Sequence, residues 1–406
     1  MDLPYLTDFP GIGGVIKDRP EDFCVQEVPL YEPCGEGEHV FCEIQKTGLT
    51  TFDAVDRMGR ALNISPRDIG FAGMKDARAV TRQSLSIPGV TEEQVMAAAV
   101  PGIQILWAKR HGNKLRLGHL KGNRFAIKVR QVNAEAVVKV KPVLEELERR
   151  GMPNYFGEQR FGLRKNNHQL GAALVAGDDK RLLDLLLGQP DQSVDDAQSL
   201  GARKAYDGGD MERSMHLWPR RCGMERRVLH RLMKTGKAGV AAKCVDERLR
   251  RLWVSALQSE MFNQVLARRI GEVDRVQSGD WAMKHENGAC FLVEDGEKEQ
   301  PRAAAWEISP TGPIVGYRMS LCEGRPGEIE SEVLSAAGLS PESFRIEGRL
   351  RVKGTRRALR VRPENVEISG GADEFGPFIS VVFTLPSGSF ATVLMREVMR
   401  AADDEE

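Results

Sequence analysis

The chain of 406 residues has no Cys-x-x-Cys pair, no His-Glu-x-x-His and no His-x₃-His arrangement. Its seven cysteines (Cys24, Cys34, Cys42, Cys222, Cys244, Cys290 and Cys322) are odd in number and scattered. That pattern suggests neither a disulfide framework nor a structural zinc site, so chemistry without a metal is expected. No apolar run approaches the ~18 residues that would span a bilayer. The opening MDLPYLTDFPGIGG lacks the basic segment and apolar stretch of a secretory leader. A soluble, cytoplasmic protein without a membrane partner is therefore expected. A G-x-S-x-G elbow, a Walker loop and the kinase motif set are also absent. Gly11, Gly13 and Gly14 do not make a nucleotide loop, because no strand precedes them and no helix clearly follows. No cofactor is expected.

Net charge is absent too, with 58 basic residues against 58 acidic ones. Local charge is what touches a ligand, and here it is uneven. Residues 109–130 hold eight Lys or Arg and no acid, and residues 213–251 hold twelve against three. Two stretches so one-sided in a neutral chain point to a polyanionic partner, of which nucleic acid is the commonest. The bland alternative is a pair of solvated faces.

The length suggests two or three domains. HVFCEIQ (39–45) alternates like a half-buried strand. Thr51 is placed to cap a helix carrying Phe52, Val55, Met58 and Leu62. Ser65-Pro66 has the order that starts a short helix. IGFAG (69–73), IQILWA (103–108), KLRLGHL (114–120) and RFAIKVR (124–130) are further strand candidates. A helix is expected from Asn133 to Gly151, kinked or divided at Pro142. A largely helical, basic region follows to about residue 270, including WVSALQSEMFNQVLARRI (253–270). Residues 280–350 have the Gly and Pro content of strands and loops. The last stretch predicts strands, a turn at 386–389, and a closing helix with an acidic tail. Strands at both ends and helices between them fit one domain inserted into another.

Three segments could carry chemistry. In FAGMKDARAVTRQ (71–83), a strand runs into Gly73 and a tight turn, which presents Lys75 and Asp76 together. An ionised Asp is a competent covalent nucleophile toward an electrophilic sugar or ring carbon. Burial raises its pKa and a neighbouring cation lowers it. The plain alternative is an exposed turn. In HGNKLRLGHLKGNRFAIKVR (111–130), period-2 geometry puts Asn123, Phe125, Ile127 and Val129 on one face, with Arg124, Lys128 and Arg130 on the other. Gly122 permits a close approach. Asn123 could hold a carboxylate and Phe125 could stack on a flat base, worth ~1–3 kcal/mol, though on the pattern alone a core Phe and a turn Asn are the stronger reading. The segment 16–39 offers Lys17, Glu21, Asp22, Glu27, Glu38 and His39 around a strand without specificity of its own.

Together these pieces resemble the tRNA pseudouridine synthase D (TruD) family. The matching segments are KDRPEDFCVQE (17–27), GEGEH (35–39), FAGMKDARAVTRQ (71–83), KLRLGHLKGNRF (114–125), PNYFGEQRFG (153–162), SALQSEMFNQ (255–264) and LPSGSFATVLMRE (385–397), in family order. The resemblance implies an α/β (α+β) fold. A pseudouridine synthase catalytic domain with a mixed, largely antiparallel sheet, 1–153 and 353–406, is interrupted by an inserted α/β TRUD domain, 154–352. It places the nucleophile on Asp76, the catalytic-site lysine on Lys17, and the active-site Asn and stacking Phe on Asn123 and Phe125. Lys75, Arg124 and Phe161 join Phe125 as expected substrate-binding residues. The implied partner is tRNA, typically uridine 13 of tRNA-Glu, and a monomer is expected. The stretch 176–250, longer than in compact members, carries the basic cluster.

The expected reaction extrudes the uridine, engages Asp76, breaks the glycosidic bond, rotates the uracil and rejoins it through C5. Two rivals stand beside it. One is an RNA-binding or RNA-folding protein without chemistry. The other is a nucleoside hydrolase or glycosidase using Asp76, which normally needs a second carboxylate, for which Glu21 or Glu27 could be nominated.

Overall fold

Alternating burial along His39–Thr47 becomes one strand of an eight-stranded sheet in the computed structural model, which describes residues 3–346 and 350–400. The strands are β1 (Phe23–Pro29), β2 (His39–Thr47), β3 (Gly70–Phe71), β4 (Val80–Pro88), β5 (Ile103–His111), β6 (Leu120–Arg130), β7 (Glu364–Asp373) and β8 (Gly376–Pro386). Their order is β7-β8-β6-β1-β4-β2-β5, with β3 beside β4. Only β1 and β4 run parallel among these pairs, so the sheet is mixed and largely antiparallel. The sheet belongs to a unit formed by Tyr5–Pro153 and Val361–Glu406, so two distant parts of the chain share it. The late strand β8 lies along β6 with Phe383 opposite Phe125 and Leu385 opposite Asn123.

Helix α1 (Thr51–Leu62) packs Ala54, Val55 and Met58 against Val40, Cys42 and Ile44 of β2 and Leu85 and Ile87 of β4. Its cap is Thr50, one residue earlier than expected. Thr50 and Asp53 form a reciprocal capping box, which leaves the Thr51 hydroxyl available for other work. Ser65-Pro66 starts a turn and not a helix, and IGFAG yields only the two-residue β3. KLRLGHL is a loop up to Leu120, because Gly118 at φ +94° interrupts any extended run. Asn133 caps a short 3₁₀ turn, and the helix Val137–Arg150 then carries Pro142 in its first turns.

The second unit comprises Asn154–Arg360 with Met1–Pro4. The later junction falls at Arg360 because Thr355–Ala358 pairs with Ile308–Ile314 inside this unit's own sheet. That sheet runs Thr355–Ala358, Ile308–Ile314, Trp281–Lys284, Cys290–Leu292. A helical group gathers Leu182, Leu183, Leu186, Trp218, Val228, Leu229 and Trp253 into one core. The helix Glu247–Arg268 buries an unbroken run from Ala256 to Asn263, so its middle is enclosed on every side. The region 280–350 also holds the helices Gly296–Ala304 and Gly324–Ala336, which its Gly and Pro content disguised. Pro326 sits in the first turn, where its missing N–H costs nothing. The acidic end, 401–406, lies outside the described residues.

Candidate active site

On β2 the inward row Val40, Cys42, Ile44 continues into Lys46, and on β4 the row Ile87, Leu85 continues into Gln83 and Thr81. The register pairs Lys46 with Thr81 and Ile44 with Gln83, so one helix-covered face changes from apolar to polar along its length. Helix α1 covers the apolar part, and its first residue fastens the polar part. The Thr51 hydroxyl donates to Gln83 Oε1 at 3.0 Å and accepts the Lys75 N–H at 2.8 Å. This draws the loop after β3 over the sheet.

Lys75 and Asp76 then diverge. Lys75 Nζ lies 2.7 Å from Glu27 Oε1, with both side chains almost wholly buried. Glu27 Oε2 also accepts the Ser84 N–H at 2.9 Å. Lys75 is thus held by an internal carboxylate, not offered to a ligand as a free cation. Gly73 has no positive φ, so its backbone conformation does not by itself require a glycine. A Cβ at that position would stand 3.3 Å from Lys75 Nζ and 3.5 Å from Glu27 Oε1, so the pair packs closely against it.

Asp76 Oδ2 accepts from Lys17 Nζ at 2.5 Å, and Oδ1 accepts the Arg78 N–H at 2.9 Å. Partial burial pulls the carboxyl upward. The Lys17 hydrogen bond, the Arg78 N–H, and the charges of Lys17 and Lys46 outweigh it, so Asp76 titrates below its ordinary value. The carboxylate stays 39% exposed and reachable from outside. Lys17 has φ +59°, a strained backbone for a residue with a Cβ. Its Nζ also lies 4.4 Å from the Phe23 ring centroid.

The sheet register brings the segment 111–130 to the same face. Asn123 stands opposite Glu27, and Phe125 opposite Val25. Phe125 is 7% exposed, with its ring edge-on to Phe23 at 6.3 Å and near-parallel to Phe383 at 5.4 Å. Three buried polar atoms on this face, Thr81 Oγ1, Gln83 Nε2 and Asn123 Oδ1, have no hydrogen-bond partner. They leave hydrogen-bonding capacity unspent on the face over which the Asp76 loop is drawn. Asp76, Lys17, Asn123 and Phe125 therefore share one face of one unit, although no hydrogen bond joins Asn123 to Asp76.

The other two expected substrate-binding residues have local partners of their own. Arg124 alternates to the opposite face and stands 3.9 Å from Glu367. Phe161 belongs to the other unit, where it is 5% exposed and edge-on to His168. Lys46, Gln83 and Phe23 were not singled out from the sequence, and Thr51 only as a helix cap. Lys46 leaves a trace there, as a lysine in the next inward position after Val40, Cys42 and Ile44. Among the described residues, no helix is long and apolar enough to cross a membrane.

A carboxylate kept ionised by a cation, beside aromatic rings and unsatisfied amides, suits nucleophilic chemistry on a flat polar substrate. The model of the family tRNA pseudouridine synthase D (TruD) matches residues 2–398. A tRNA pseudouridine synthase D from Geobacter metallireducens is 50% identical over 398 residues, 98% of this chain and 97% of the relative. One from Thermus thermophilus is 37% identical over 402 residues, 98% of this chain and 92% of the relative. A crystal structure assigned to the same family, from Methanosarcina mazei, superposes with a TM-score of 0.87 at 29% identity, covering 98% of each chain.

Proposed function

The chain belongs to the tRNA pseudouridine synthase D (TruD) family of isomerases, and from that premise we propose that Asp76 is the nucleophile that converts one tRNA uridine to pseudouridine. Uridine 13 of tRNA-Glu is the target we infer from the family resemblance. A stacked uridine cannot be reached, so it is extruded at a cost of a few kcal/mol. Phe23 and Phe125 form an apolar floor beside the carboxylate, where the freed base regains part of its lost stacking.

Asp76 engages the nucleotide at the ribose C1′ or at the base, or promotes elimination at the sugar. In each case the N1–C1′ bond breaks, the uracil turns, and C5 bonds to C1′. The proton leaves C5 and N1 takes one up, so atoms and charge balance without redox or hydrolysis. Lys17 keeps Asp76 ionised until attack. Asn123, with an unspent amide oxygen, orients the uracil or the carboxylate.

The observation that carries this reading is the 2.5 Å Lys17–Asp76 contact on a carboxylate more than a third exposed. Surface charge supports an RNA partner. The helix Gly223–Thr235 exposes Arg227, His230, Arg231 and Lys234 at i, i+3, i+4 and i+7. None of them has an ion-pair partner among the described residues, whereas helical cations elsewhere pair within one turn, as in Lys180–Asp184 and Arg251–Glu247. Such a stripe suits a phosphate backbone.

The test is release of tritium from tRNA transcripts labelled at uridine C5, followed by mapping of the modified position. The wild-type enzyme releases label and Asp76→Asn does not. Normal release by Asp76→Asn overturns the role of Asp76, and a different mapped uridine overturns the target.

A further inference from the structure

Lys46 is the most deeply buried lysine near the site, 1% exposed, and no carboxylate stands within ion-pair distance of it among the described residues. Its ammonium donates instead to two main-chain oxygens, Leu49 at 2.5 Å and Asp76 at 3.4 Å. One oxygen lies just before helix α1, and the other belongs to the residue proposed as nucleophile. The charged groups that face Lys46 are Asp76 and Lys75 on the loop and Asp53 on α1. Across the sheet its neighbours are Thr81 on β4 and Ile103 on β5, both uncharged.

We propose that Lys46 is a positioning residue for Asp76: clamped between the carbonyls of Leu49 and Asp76, its ammonium fixes the loop and supplies, from beneath, a second positive charge that keeps the carboxylate ionised. The inference rests on the reading of Asp76 as nucleophile.

The charge is not there for stability. Burial lowers the ammonium to about 8, Asp76 pulling it back up and Lys75 pushing it further down. An unfolded lysine binds its proton more tightly than that. Stability from this group therefore rises as pH climbs through the window between about 8 and the ordinary lysine value. At neutral pH the fold carries a buried cation at a cost, and it carries it against the catalytic loop. Lys17 contacts the carboxylate from the open side, so the two lysines act from different directions and are not redundant. Thr51 fastens the same loop through the Lys75 N–H without charge, which separates holding the loop from polarising it.

The experiment is the pH profile of kcat/KM on a tRNA transcript, whose acid limb reports the free enzyme's ionisation. In Lys46→Met, kcat falls by on the order of ten- to a hundredfold as the loop loosens, and the acid limb moves to higher pH. Lys46→Gln, which can still donate to the carbonyls, loses less turnover and shows the same limb shift. Lys46→Arg restores the wild-type limb. Thr51→Val lowers kcat and leaves the limb in place. Neutral variants at Lys46 whose acid limb coincides with wild type overturn the proposal, whatever their turnover. Asp76→Asn is run beside them. If it remains active, the nucleophile reading fails first, and that result is distinguishable from an unmoved limb in enzymes that depend on Asp76.

Discussion

Lys75 Nζ lies 2.7 Å from Glu27 Oε1, a nearly solvent-free ion pair directly beneath the loop whose next residue is the reachable Asp76. The neighbouring lysine is thus spent on anchoring the loop, and Lys17, arriving from far away in sequence, is the cation that touches the carboxylate. Removing one partner of a buried pair strands the other charge, at a cost of about 3–5 kcal/mol. Glu27→Gln and Lys75→Met should each lower unfolding stability by roughly that amount. The double replacement should cost clearly less than their sum. Denaturant unfolding of the three variants checks this, and strict additivity would refute the coupling.

The charge on Asp76 sets the acid side of activity. Its carboxyl is held below the ordinary range, against the pull of burial, chiefly by the Lys17 hydrogen bond and the Arg78 N–H. A depressed acid contributes stability above its unfolded pKa and loses it as pH falls through the folded one. Activity that needs the ionised form follows the same sign. It should persist at pH values below the usual carboxylate range and disappear further down. Lys17→Met should lower kcat and move that limb upward, whereas Lys17→Arg should retain the limb. Rate profiles between pH 3 and pH 7, roughly the range bracketing an ordinary carboxyl group, decide the matter. An unmoved limb in Lys17→Met would dismiss Lys17 as its partner.

The cationic stripe on the helix Gly223–Thr235 makes a separable claim about binding. Arg227→Gln, Arg231→Gln and Lys234→Gln combined should raise KM for full-length tRNA and leave kcat near wild type. If each side chain neutralises a duplex phosphate, the slope of log affinity against log salt should fall by ~0.9 for every phosphate released. Filter binding across a salt series measures it. An unchanged slope means that these side chains only face solvent.

Sequence periodicity revealed the sheet wherever side chains alternate about a buried face, as in Val40, Cys42 and Ile44, or Phe125 and Ile127. It misled where alternation was accidental. Leu115 and Leu117 suggested a strand, yet Leu115 is buried, Leu117 is 67% exposed, and Gly118 turns the chain. Asp76 and Lys17 were legible as members of motifs whose family is shown by the whole-chain match. Their 2.5 Å contact was not, because it depends on a loop drawn in by Thr51 and on a positive φ at Lys17. Glu27 and Lys75 are 48 positions apart, and only the sheet register carries Glu27 under the loop. The placement of Arg124, by contrast, was legible, since period-2 geometry already puts it on the face opposite Asn123.

Gly122 ties that register to the site. A Cβ built there would stand 2.3 Å from the Leu385 carbonyl oxygen on β8, a backbone atom that cannot swing aside. Gly122→Ala must therefore push β6 and β8 apart at the point where Asn123 faces Leu385. Overpacking of this kind typically costs about 1–3 kcal/mol. The displaced strand carries Asn123 and Phe125, so turnover should fall along with the melting temperature. Ala126→Gly, further along the same strand and with nothing to clash, should lower stability without a comparable loss of kcat. Thermal unfolding and tritium release on both variants separate the two effects. Equal losses of activity at equal losses of stability would mean that Gly122 serves the fold alone.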